Sequence, residues 1–93
     1  MMPDIMLAIN LIKTRLNRMT VDKPTEDYIR TRTEAAVEEL KRNGITLTDS
    51  TDDLMLLVDF TVWQYQNRDK PGMMPDWLRL RRRERFLSQA RGD

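Results

Sequence analysis

From Leu54 to Tyr65 the chain reads Leu-Met-Leu-Leu-Val-Asp-Phe-Thr-Val-Trp-Gln-Tyr, and its helical projection leaves almost no polar face. A helix apolar on nearly every side must be enclosed by other elements, so this segment is expected to be the central core element. Asp49, Ser50 or Thr51 caps its start. Asp52 and Asp53 follow in the first turn, where the helix dipole favours acids, and with Asp49 they read as capping rather than as a cluster for a hard cation. The helix is expected to run to about Asp69, where Lys70-Pro71-Gly72 breaks it.

Three further helices supply the enclosure. Ile5, Ile9, Ile12, Leu16 and Met19 recur at spacings of four and three, one apolar stripe of a 3.6-residue period, with Asp4 as its N-cap. Thr20 to Pro24 form a connector. Thr25, followed by Glu26, Asp27 and Tyr28, reads as the cap of a second helix that turns Ile29, Ala36, Val37 and Leu40 inward and stops at Asn43-Gly44. Its Glu34, Glu38 and Glu39, near Lys41 and Arg42, form a solvated face with pairing available from Glu38 to Arg42. Ile45 to Ser50 is too short to be more than a loop, with room for one extended bridge. A last helix, from about 75 to 90, places Pro75 at its first position and carries Trp77, Leu78, Leu80, Phe86 and Leu87. The fold class is therefore all-α: one small four-helix bundle with short connectors, a single domain over residues 1–93.

Neither His nor Cys is present, which removes disulfides, thiolate nucleophiles, the commonest metal ligands and every triad that needs an imidazole. No catalytic, cofactor or metal residue is assigned, and the expectation is a binding or structural protein rather than an enzyme. The first residues lack the basic stretch of a signal peptide, and no apolar run approaches the roughly 20 residues of a membrane span. The closing Arg91-Gly92-Asp93 is a frayed end whose spelling carries no function. Trp63 and Tyr65 are expected in the core.

Charge carries the one local anomaly. Sixteen Lys and Arg oppose fifteen Asp and Glu, yet Arg79, Arg81, Arg82, Arg83 and Arg85 fall within seven positions of the last helix, and the chain before them is net acidic. At about 100° per residue, Arg79, Arg82 and Arg83 share one side while Arg81 and Arg85 occupy another. Three readings stay open: a solvated face, docking onto an acidic protein surface, or contact with nucleic-acid phosphates. Trp77 opens the same helix, and Trp and Arg are enriched at interface hot spots.

Several stretches together resemble the small head-tail connector (adaptor) proteins of tailed bacteriophages and prophages. They are Glu34-Ala-Ala-Val-Glu-Glu-Leu, Gly44-Ile-Thr-Leu, the run from Asp52 to Tyr65, Asn67-Arg-Asp-Lys70, and Met74-Pro-Asp-Trp-Leu78 with its Arg-rich continuation. The resemblance covers positions 5 to about 88 and is strongest from Asp52 to Arg68. It implies a non-enzymatic virion assembly protein that forms a ring of about a dozen copies under the portal protein and extends the DNA channel. The implied partners are the portal, further copies of the chain, and a head-completion or tail protein. DNA would pass through without sequence-specific binding. Arg79, Arg81, Arg82, Arg83, Arg85 and Trp77 would then face portal or neighbouring subunits. The implied location is the head-tail interface of the virion, or the bacterial cytoplasm during assembly or from a prophage. The alternative is a small helical DNA-binding regulator using the same terminal helix.

Overall fold

The computed structural model describes residues 3–17, 22–68 and 72–92. Met19 of the first stripe, Thr20 and Val21 of the connector, the break at Lys70 and Pro71, and Asp93 lie outside them. Four helices follow in order: α1 (Ile5–Arg15), α2 (Lys23–Arg42), α3 (Thr51–Gln66) and α4 (Asp76–Ala90). No strand occurs among the described residues, so Ile45 to Ser50 forms no bridge. The protein is all-α, a small four-helix bundle.

Local chemistry sets the helix ends. The Asp4 carboxylate accepts the Leu7 N–H at 3.1 Å and caps α1. The second helix begins earlier than its acids suggest: Asp22 is the N-cap, and Lys23 and Pro24 already lie in the first turn, so Thr25 is not the cap. Proline is tolerated there because its missing N–H would have had no helical acceptor. Ser50 caps α3, its hydroxyl accepting the Asp53 N–H at 3.2 Å. That helix ends at Gln66 rather than near Asp69. Pro75 is the N-cap of α4 and Asp76 its first residue, one position later than expected.

The end of α2 matters for everything after it. The Gly44 N–H donates to the Lys41 carbonyl at 3.0 Å and the Ile45 N–H to the Leu40 carbonyl at 2.8 Å, the paired closure of a Schellman motif. Gly44 sits at φ +88°, a backbone region that a side chain makes costly. Leu40 and Ile45, on either side of the closure, are both buried. The chain then leaves along 45–48 and enters α3.

The apolar run does become the centre. α3 packs against each of the other three helices. Around Leu57, Val58 and Phe60 gather Ile9 and Ile12 of α1, Ile29, Ala36 and Leu40 of α2, and Leu78 of α4, all essentially without solvent exposure. Tyr65 is buried and Trp63 half-buried against the same cluster. The Tyr65 ring meets Tyr28 edge-on, with centroids 5.8 Å apart. Glu39 departs from the solvated face expected of α2: it is half-buried and accepts a 2.7 Å hydrogen bond from Gln64 Nε2.

The fourth helix is attached differently. Among the helices it packs only on α3, and of its apolar residues only Leu78 is buried; Trp77, Leu80, Phe86 and Leu87 remain exposed. Phe86 lies over the Gly44 turn so closely that a Cβ on Gly44 would stand 2.7 Å from its ring. Gly44→Ala is therefore expected to cost more than the about 1–2 kcal/mol of left-handed backbone strain alone, read as a lower urea midpoint at unchanged slope. In a Phe86→Ala background the same change is expected to cost less, because only the backbone strain remains.

Candidate functional site

The five arginines of α4 divide along the line that helical geometry draws. Arg81 and Arg85 turn inward onto two carboxylates of α3, while Arg79, Arg82 and Arg83 lie on the other side. The division follows from what α3 offers. Asp53 and Asp59 sit in a helix that is otherwise enclosed by apolar side chains, with 2% and 8% of their surfaces exposed, and a buried carboxylate requires a charged or hydrogen-bonded partner. Arg81 and Arg85, one helical turn apart, supply it.

Asp53 is the more heavily used of the two. Its Oδ1 accepts from Arg85 Nε at 2.7 Å and its Oδ2 from Arg85 Nη2 at 3.1 Å, a two-pronged pairing. Oδ2 also accepts the Thr48 N–H at 2.7 Å and the Thr48 hydroxyl at 2.9 Å. Burial pushes this carboxyl up, but the Arg85 guanidinium and the two Thr48 donors outweigh burial and hold it below its ordinary value of 3.8. The paired carboxylate in turn raises Arg85. Arg85 Nη2 donates further to the Thr46 carbonyl at 2.9 Å. Gln89 completes the seam, accepting the Thr46 N–H and donating to the Gly44 carbonyl, both at 2.8 Å.

Asp59 joins three helices. One oxygen accepts from Arg15 at the end of α1, at 2.5 Å, and the other accepts from Arg81 of α4. Both arginines keep close to half of their side-chain surface in solvent, so they are anchored by their heads with stems at the boundary.

The other face of α4 makes fewer commitments. Arg79 pairs with Asp76 at 3.1 Å, a contact between two well-exposed side chains. No hydrogen bond or ion pair within the described residues engages Arg82 or Arg83. With Asn43, Ile45 and Phe86 these three arginines line a groove of about 330 Å³ between α4 and the end of α2. Trp77, 51% exposed, stands at the start of the helix away from the core. A larger groove, about 570 Å³, runs along the opposite flank between α3 and α4; Asp52, Glu84 and Leu80 share its lining with Arg81 and Arg85. The six residues expected to form one contact surface are thus two internal anchors, Arg81 and Arg85, the exposed Arg79 and Arg83 with a half-buried Arg82 between them, and one exposed indole.

No family model matches the chain, and no curated protein or solved structure matches it. No group of three or more acidic side chains among the described residues is arranged to hold a metal ion, and none of the described helices is long and apolar enough to cross a membrane.

Asp59 and Gln89 escape a reading by periodicity. The signal for Asp59 lies in the sequence nonetheless: an acid inside a run that is apolar all round must find a cation, and the Arg-rich helix is the densest source of cations in the chain. Asp53 illustrates the same limit, since capping explains an acid at a helix start without asking whether it is buried.

Replacing Asp53 by Asn is expected to destabilise the fold by about 3 kcal/mol, because it strips Arg85 of its charge partner. The pH dependence has a definite sign. A carboxyl whose folded value lies below its unfolded value contributes fully above the unfolded value and loses that contribution as pH falls through the folded one. Urea midpoints of the wild type should therefore drop as pH falls below about 4, and the Asp53→Asn chain should lose a smaller part of its stability over the same interval. Between about pH 5 and 8 this pair should contribute no slope in either protein.

Proposed function

We propose that the protein is a non-enzymatic head-tail connector of a tailed phage or prophage, which assembles as a ring on the portal and links capsid to tail. The observation that carries this reading from the fold is the attachment of α4. It is fastened along one side by Arg81, Arg85, Gln89 and Leu78. The rest of its surface offers exposed Trp77, Leu80 and Leu87 and, on the flank facing the end of α2, Arg79, Arg83 and half-buried Arg82, a combination of apolar area and guanidinium suited to a protein interface. A rigid helix offered on one face is a means for many copies to meet one another or a common platform. The resemblance of the helix order and of the Asp52–Arg68 stretch to small connectors supports the same reading.

Ring closure needs two different patches per subunit that meet head to tail. An acidic body and an arginine-bearing terminal helix satisfy that requirement in kind. Near-neutral total charge also suits a channel through which DNA slides, since a strongly basic lumen would retain phosphates. The virion's head-tail interface, and the bacterial cytoplasm before assembly, are the locations that go with this role.

A second reading, a small DNA-binding regulator, draws on Arg82 and Arg83 having no acid partner among the described residues. It requires duplex binding with a steep salt dependence.

The deciding experiment mixes the purified protein with a phage portal protein, taken from the neighbouring reading frames where these encode one, and follows mass by sedimentation and particle imaging. Discrete rings, alone or on the portal, are expected. Strictly monomeric behaviour in both samples overturns the connector reading, and salt-sensitive duplex binding by that monomer replaces it with the second.

A further inference from the structure

The groove between α4 and the Asn43–Ile45 turn has a construction that a merely solvated arginine face does not require. Arg79, Arg82 and Arg83 form its rim, and Phe86 stands among them with 42% of its surface exposed. The ring is held from behind: its Cδ1 and Cε1 edge lies against Gly44, where the missing side chain lets it approach. Ile45, fully buried, closes the inner wall, and Asn43 contributes an amide at the edge. The acid paired at this rim is Asp76, on Arg79.

We propose that this groove is a docking site for an acidic peptide segment of a partner protein, one that seats an aromatic or aliphatic side chain against Phe86 and places carboxylates on Arg82 and Arg83. Three features select this occupant. The guanidinium forks match carboxylates two at a time, which Lys would not do. The pinned aromatic gives apolar contact at little entropic cost, because the ring is already ordered by the Gly44 turn. The volume, at the lower end of the about 300–1,000 Å³ of ligand clefts, suits single side chains rather than a folded surface. Nucleic acid fits less well. Binding a single strand calls for a succession of stacking aromatics, and this groove has one; binding a duplex calls for a broad basic footprint, and the chain is balanced at +1.

The inference deepens the docking role of α4 and rests on the connector reading only in taking the partner to be a protein. It also assigns recognition to Arg79, Arg82, Arg83 and Phe86, and withdraws it from Arg81 and Arg85, whose charges are spent on Asp59 and Asp53.

A selection of random dodecapeptides displayed against the immobilised full chain tests it. Peptides with two or more Asp or Glu flanking one aromatic or aliphatic residue are expected to enrich. A fluorescent synthetic copy of an enriched peptide should bind Arg82→Glu/Arg83→Glu and Phe86→Ala at least about tenfold more weakly than the wild type. Arg82→Lys/Arg83→Lys should retain part of the affinity. Arg83 and Phe86 are exposed and Arg82 is half-buried, and circular dichroism of each variant confirms that the helices remain. Failure to enrich acidic peptides overturns the proposal, as does equal binding to wild type and variants. Tighter binding of a duplex or of a thymidine homopolymer through the same residues overturns it in favour of nucleic acid. Ring formation on the portal without acidic-peptide binding removes this inference alone, whereas acidic-peptide binding by a chain that never assembles removes the connector reading alone.

Discussion

Charge, rather than apolar area, holds the fourth helix to the rest of the protein. Leu78 is its one buried apolar side chain, worth roughly 1.5–3 kcal/mol. Exposed ion pairs add little to such a sum. The Asp53–Arg85 pair is of another kind, because the carboxylate is nearly without solvent, is gripped at both oxygens and accepts two further bonds from Thr48. Arg85 and Gln89 then carry that anchorage into the 44–46 backbone, so one buried carboxylate organises the start of α3, the connector before it and the second half of α4.

The two carboxylates also fix where α4 lies along α3. Asp53 takes Arg85 and Asp59 takes Arg81, so the later position on one helix meets the earlier position on the other, and the pair sets axial position and rotation together. Sliding α4 by one turn in one direction would bring Arg85 to Asp59 and leave Asp53 facing Gln89. Sliding it the other way would set Arg81 against Asp53 and Trp77 against Asp59. The first shift leaves buried Asp53 without a cation, at a cost of several kcal/mol, whereas the second removes one of the two arginines on Asp59 and leaves it Arg15 alone. A helix with few apolar contacts would otherwise be free to slip, and specification of register is the best-attested use of buried charge. Arg15 extends the device to α1, since it shares Asp59 with Arg81.

Much of this was open to a reader of the sequence, for identifiable reasons. The stripe of α1, the inward set of α2 and the enclosure of α3 are apolar patterns, and burial of apolar area is what periodicity reports. The division of the arginines into two sides follows from 100° per residue and survives intact. Boundaries fared less well. Asp22 rather than Thr25 precedes α2 because Pro24 is acceptable in a first turn, and one sequence presents both residues as reasonable caps. The seam between α3 and α4 was hidden for a deeper reason: pairing across 22 or 32 residues leaves no local mark. Asp59 lies in the middle of an apolar run and Asp53 at a helix start, and neither position says which cation it meets. Helical projection separates the inward arginines from the outward ones without saying which side is inward.

That division changes how experiments on the terminal helix must be read. Neutralising Arg81 or Arg85 removes the partner of a buried carboxylate, so any loss of assembly or binding in such a variant passes through the seating of α4 and says nothing about contact. A block substitution of Arg81, Arg82 and Arg83 mixes both effects. Arg82 and Arg83 are separable, since no hydrogen bond or ion pair within the described residues engages them. The five guanidiniums are therefore not one electrostatic patch. Two hold the helix in register, and by doing so they leave the other three along the flank that faces the end of α2.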